Sequence, residues 1–279
     1  MTISVNTNLF SLNAQRKLAG TESSLATSMQ RLSSGLRINS AADDAAGLAI
    51  SQRMSAQVRG MNVAIRNAND GISLAQTADG ALASVGDSLQ RMRELAVQAR
   101  NSTNSDSDKD SLNLEFQQLS SEIGRVLGGT TFNGKAILGA DAGTLTFQVG
   151  ANVTTNDSID ITTTNLTTDA KITTVTGASI GSAANTSAIA TVITDIDTAI
   201  DDINSQRATF GASQNRFNSV VSNLQSSVEN QSAASSRITD ADFATETANM
   251  SRAQILQQAG TAMVAQANQL PQSVLRLLQ

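Results

Sequence analysis

Leu18-Ala19-Gly20-Thr21-Glu22-Ser23-Ser24-Leu25-Ala26-Thr27-Ser28-Met29-Gln30-Arg31-Leu32-Ser33-Ser34-Gly35-Leu36 places Leu18, Leu25, Met29, Leu32 and Leu36 on a heptad rhythm. Spacings of three and four put such residues on one stripe of a helix, the seam of a coiled coil. The other end of the chain keeps a matching seam in Leu256, Met263, Leu270, Val274 and Leu277, with the small Gly260 and Ala267 at the remaining positions. A stripe of that width needs a partner helix. The simplest partner for one terminus is the other. Paired termini suit a subunit that builds something better than an enzyme that encloses a site.

Inward of the first seam, Gly35 to Ser40 break the helix. Ser40 is placed to cap the next helix, and Asp43-Asp44 fall in its first turn, where carboxylates favour a helix N-terminus. Neighbouring residues on a helix diverge by about 100°, so an acid pair sharing a proton is the poorer reading. Met54, Met61, Ile65, Ala68, Ile72, Ala75, Leu82, Leu89 and Ala96 then hold a heptad-like stripe. A helix over 43–99 would be roughly 85 Å long at about 1.5 Å per residue and implies a bundle. The stripe methionines, Met92 included, read as seam fillers and not metal ligands.

Residues 101–110 form a polar loop in this reading. Asp106, Asp108 and Asp110 mimic the opening of a calcium loop, but Ser111 and Gln117 stand where Gly and Glu are required. A short helix comes next on Leu112, Phe116, Leu119, Ile123 and Val126 and stops at Gly128-Gly129. The period then changes to two over Thr144–Val149 and Ser158–Thr162, with turns at Asn133-Gly134, Gly150 and Asn156-Asp157, the pattern of small β-hairpins. Residues 163–188 offer few apolar anchors and read as an exposed, weakly ordered tip. From Ile189 a helical stripe returns through Ile196, Ile203, Phe210, Phe217 and Leu224, with Arg207 and Gln214 at polar seam positions. A second break at Ser235 to Asp240 precedes the last helix.

The expected fold is mainly α: a long helical bundle or coiled coil with a small β-hairpin region, in a nested antiparallel layout with paired termini. The expected domains are an inner coiled-coil pair (1–40 with 241–279), a rod (41–162 with 189–240) and the tip (163–188).

Composition narrows the function. Aromatic residues are 3% of the chain, with no Trp or Tyr, which suits thin helix seams over a thick core. The chain has no Cys and no His, which removes thiolate sites, disulfides and the usual base near neutral pH. No enzyme activity and no cofactor is expected. A net charge of −5 gives nucleic acid no basic footprint. The longest apolar run, Ala45 to Ile50, is far short of the about 20 residues that cross a membrane. Met1 to Asn6 shows no basic stretch leading into an apolar one, so no general secretory signal is expected.

Long collinear runs resemble bacterial flagellin. They include Asn6-Thr7-Asn8, Leu32 to Gly47, Arg91-Met92-Arg93-Glu94-Leu95-Ala96-Val97-Gln98, Phe132-Asn133-Gly134, Phe147 to Asn152, Ser251 to Gly260 and Ala265 to Gln269. The chain looks like a short form lacking the large outer domains. The resemblance implies a secreted structural subunit that polymerises into the flagellar filament for motility, exported unfolded by the flagellar type III apparatus. The partners implied are the chain itself, the flagellar cap, junction proteins and an export chaperone. A hook–filament junction protein is the alternative. The resemblance also marks Arg91, Leu95 and Glu115 as rod contacts between subunits, and as positions contacted by the animal receptor Toll-like receptor 5. A zinc protease insert, known in some flagellins, needs two His and is excluded.

Overall fold

The computed structural model describes residues 7–277, with side chains to residue 269. Met1–Asn6 lie outside the described residues. Six helices carry the chain: α1 (Leu9–Ser34), α2 (Ala45–Ala99), α3 (Asp106–Gly129), α4 (Ala170–Thr176), α5 (Thr186–Thr239) and α6 (Phe243–Leu277). Between α3 and α4 lie four short strands: β1 (Thr131–Phe132), β2 (Lys135–Ala136), β3 (Thr144–Gln148) and β4 (Ser158–Thr162). The mainly helical architecture and the paired termini are as expected.

The chain divides into two compact units. One comprises Met1–Ala56 with Asn230–Gln279, and the other Gln57–Glu229. In the first unit α1 packs on α6. Gly35 ends α1 in the left-handed conformation (φ 73°), its N–H returning to the Arg31 carbonyl, a conformation that costs glycine little. The connectors beyond α1 and before α6 then run antiparallel: Arg37 N–H donates to Thr239 O (2.6 Å) and Ala241 N–H to Gly35 O (2.9 Å).

Helix boundaries differ from the sequence reading in three places, each through a side-chain cap. Asp44, not Ser40, caps α2 by accepting Gly47 N–H at 2.8 Å. Asp43 instead accepts both backbone N–H groups of Asn39 and Ser40, closing the turn. Helix α3 begins inside the expected polar loop because Ser105 and Asp108 form a capping box. Helix α5 runs through Ser235–Arg237 to Thr239, leaving only residues 240–242 as the link; Asp242 caps α6 through Ala244 N–H at 2.9 Å.

In the second unit α2 buries Ala64, Ala68, Gly71, Ala75, Ala78, Leu82, Val85, Leu89, Met92, Ala96 and Ala99 in a continuous 3-4 rhythm, and α5 answers with Ile189, Val192, Ile196, Ala199, Ile203, Phe210 and Phe217. At one level a glycine of α2 makes room for a large side chain of α5. That side chain is Phe217: a Cβ added to Gly71 would lie 2.8 Å from its Cζ, and Phe147 of β3 meets it edge-on at 5.6 Å. The β1–β2 hairpin turns on Asn133 (φ 49°) and Gly134 (φ 79°). In the β3–β4 hairpin Leu145, Phe147, Ile159 and Ile161 face the core and the intervening polar residues face water.

The stretch 163–188 corrects the expectation of an exposed tip. Its few apolar residues are nearly all used: Leu166, Ile172, Val175 and Ile180 are buried. Its backbone is held by one face of α3. Ser120 Oγ donates to Thr176 O (2.7 Å) and Gln117 Nε2 to Ala178 O (2.8 Å). Asn113 Oδ1 accepts Ile180 N–H (2.9 Å) and Asp110 Oδ1 accepts Ser182 N–H (2.8 Å). Alternate residues from 176 to 182 thus meet α3 positions three and four apart, which supplies partners to backbone groups that a loop would otherwise leave to solvent.

Candidate functional site: the terminal helix pair

The helix pair α1–α6 is the place where this chain departs from a self-sufficient protein. On α1, Ser11, Ala14, Leu18, Thr21, Leu25, Ser28 and Leu32 turn towards α6 and are buried or half-buried. On α6 the answering stripe is Glu246, Met250, Ala253, Gln257, Gly260, Val264 and Ala267. Both stripes step by three and four, as knobs-into-holes packing requires. Gly260 seats Leu18: a Cβ there would meet Leu18 Cδ1 at 3.1 Å. Polar side chains tie both ends. Asn8 Nδ2 donates to Ala267 O at 2.7 Å, and Ser11 Oγ donates to Asn268 Oδ1 at 2.7 Å. At the other end Arg31 Nη1 donates to Glu246 Oε1 at 3.0 Å. Hydrogen bonding from Arg31 lowers the pKa of the nearly buried Glu246 carboxyl.

This seam overlaps the one read from the sequence but does not coincide with it. Leu18, Leu25, Leu32, Gly260 and Ala267 lie on it. Met29 on α1, Leu36 just beyond its end, and Leu256 and Met263 on α6 do not; all four are exposed. The side chains of Leu270, Val274 and Leu277 lie outside the described residues. The reason is steric. The pair is held at close approach by Ser, Ala and Gly, so the larger apolar residues fall on the flank. There Phe10, Leu256 and Met263 line an open apolar groove with Leu18, Ala259 and Gly260. Leu9, Leu12 and Ile255 extend the exposed apolar surface.

The rod positions separate as well. Arg91 Nε donates to Glu115 Oε1 at 2.8 Å and Nη1 to Glu94 Oε2 at 2.9 Å, all three side chains about half exposed. Hydrogen bonds to Glu115 and then Glu94 raise the Arg91 pKa further above its already high ordinary value. Leu95 is fully buried in the core; its side chain is not available to a partner, which corrects its reading as a contact residue. Arg207, at a polar seam position of α5, is neutralised by Asp79 of α2 at 2.8 Å.

Asp106, Asp108 and Asp110 are turned to structural work. Asp108 closes the α3 cap and Asp110 holds residue 182. Among the described residues no cluster of potential ligands could hold a metal ion, and no helix is long and apolar enough to cross a membrane.

Comparison with known proteins agrees with this architecture. The bacterial flagellin N-terminal helical region matches residues 5–144 and the bacterial flagellin C-terminal helical region residues 193–278. A flagellin of Halalkalibacterium halodurans is 46% identical over 98% of this chain and 99% of its own length. One from Bacillus subtilis is 41% identical with the same coverage of both chains. The crystal structure of Bacillus cereus flagellin superposes with a TM-score of 0.50 at 35% identity, covering 61% of this chain and 94% of that one. The chain belongs to the bacterial flagellin family and is a structural subunit of the extracellular flagellar filament, not an enzyme.

Proposed function

We propose that the chain enters the filament by covering, with a second copy, the outer apolar groove of the α1–α6 pair. The observation that supports this is the division of labour across the pair: small residues hold the helices together, while Phe10, Leu256 and Met263 are left in water beside them. Burial is favourable by about 25 cal/mol per Å² of apolar surface, so contact with a further copy relieves that exposure. Repeated about a helical axis, such contacts are heterologous and do not close, which gives a filament.

The finer reading assigns residues 1–40 with 241–279 to an inner coiled-coil domain, and 41–162 with 189–240 to a rod. The subunit travels unfolded through the flagellar type III apparatus with an export chaperone. It adds beneath the flagellar cap, and junction proteins join the filament to its hook. A chain without Cys has no disulfide to undo on that route. Recognition by Toll-like receptor 5 is a separate reading, favoured by the exposed Arg91–Glu115 pair. Receptor-bearing cells that respond to another flagellin and ignore this monomer would end it.

The assembly reading is tested by adding purified chain to sheared filament fragments and imaging by negative stain. Wild type elongates the fragments, and Leu256→Asp does not. Wild-type chain that never elongates them would favour a hook–filament junction protein instead.

A further inference from the structure

The chain has seven methionines and no Cys, His, Trp or Tyr. Thioether sulfur is therefore its principal target for two-electron oxidation, and exposure decides which sulfur reacts first. Among the described residues, Met263 is 62% and Met29 56% exposed, Met54 and Met250 are half-buried, Met61 is 8% exposed and Met92 is fully buried. Of the exposed pair, Met263 alone lines the groove with Phe10, Leu18 and Leu256.

We propose that Met263 is an oxidation site that switches the assembly face off. This rests on the reading of the groove as the surface a second copy covers. A peroxide transfers one oxygen to Met263 Sδ; the sulfur–oxygen bond forms, the oxygen–oxygen bond breaks, sulfur is oxidised to the sulfoxide, and hydrogen peroxide is reduced to water. A flexible apolar side chain becomes a polar one carrying a strong acceptor. Phe10, Leu18, Leu256 and Ala259 line the groove together with Asn13, Lys17, Thr21 and Gln266; covering it with an apolar surface strips water from the new acceptor, an unfavourable burial. Met263 lies off the α1–α6 seam, so the pairing through Leu18, Leu25, Ala253 and Gly260 is left intact. The core of residues 57–229 is also spared, because Met92 is sealed. The switch acts on the free subunit, since a covering copy shields the sulfur, and it is reversible by the two methionine sulfoxide reductases, one for each epimer.

The test treats the purified full chain with graded hydrogen peroxide. Sulfoxides are mapped by peptide mass spectrometry, and elongation of seeds made from untreated chain is monitored. Met29 and Met263 oxidise before Met61 and Met92, thermal unfolding is retained, and the elongation rate falls roughly tenfold or more, the factor expected for one buried polar group left unpaired. The loss tracks the Met263 sulfoxide fraction, persists in Met29→Leu, and is reversed by the reductases. Met263→Leu, each sample compared with its own untreated rate, is insensitive to the same dose. Treated chain that carries the Met263 sulfoxide and elongates at the untreated rate overturns the switch alone. Untreated chain that fails to elongate overturns the assembly reading beneath it.

Discussion

Across the α1–α6 seam the buried side chains are Ser11, Ser28, Glu246, Ala253 and Ala267, whereas residues 57–229 fully bury Phe116, Phe210, Phe217, Leu82, Leu89 and Met92. Among the described residues, ten of the fourteen exposed large hydrophobics belong to the unit that contains the helix pair. One region spends its large apolar side chains inward and is complete. The helix pair buries only small or polar side chains, leaves Leu18, Leu25, Leu32, Met250 and Val264 half-buried on its seam, and keeps Leu9, Phe10, Leu12, Met29, Ile255, Leu256 and Met263 exposed. Close helix approach through small residues gives contact but little buried area per residue, so the pair gains less from its own packing than the core does. A subunit that polymerises needs this asymmetry: a part that folds alone, and a part whose stability rises when further copies arrive.

The largest effect expected from breaking this contrast is in the core. Phe217 fills the seat left by Gly71 and stacks edge-on with Phe147. Phe217→Ala is expected to cost about 3–5 kcal/mol, read as a lower urea midpoint.

The two seated glycines offer a matched comparison. At Gly71 an added methyl meets the rigid Phe217 ring at 2.8 Å, so Gly71→Ala is expected to cost about 1–3 kcal/mol. At Gly260 the nearest atom is the mobile Leu18 Cδ1 at 3.1 Å. Helix propensity favours Ala there by about 1 kcal/mol and offsets the crowding. Gly260→Ala should leave far-UV circular dichroism and its thermal midpoint nearly unchanged. Equal losses at both sites would contradict the contrast.

Acid should act on the pair through Glu246. Its folded pKa is lowered, chiefly by the Arg31 hydrogen bond, so its contribution is present above the ordinary glutamate range. It is lost as pH falls through that range and down past the folded value. Glu246→Gln should flatten the acid limb of the stability profile of the pair, while wild type weakens as pH drops below the ordinary range. A smaller effect is expected from Ser105→Ala, which removes the α3 cap and should cost about 1 kcal/mol, measured by denaturant titration.

Periodicity makes the helices legible in the sequence, and alternation with Asn133-Gly134 makes the hairpins legible. The terminal pairing is legible as well, but its facing stripe is not fully so. Choosing the largest apolar residues selects Leu256 and Met263, whereas the helices meet one stripe over, on Ala253, Gln257 and Gly260. A run of small residues in heptad step is the available signal, because close approach favours them. Residues 163–188 mislead for a related reason. Counting apolar residues misses a segment whose backbone is held by Asp110, Asn113, Gln117 and Ser120, residues more than fifty positions away in the chain. Leu95 cannot be told from a surface residue by its spacing to Arg91, since neighbouring stripes of one helix share that rhythm.

Removal of residues 243–279 separates the two regions, with thermal unfolding and seeded elongation measured on the same sample. The core transition of residues 57–229 is expected to survive near its wild-type midpoint while elongation is abolished. Truncated chain that elongates filaments at the wild-type rate would contradict this division.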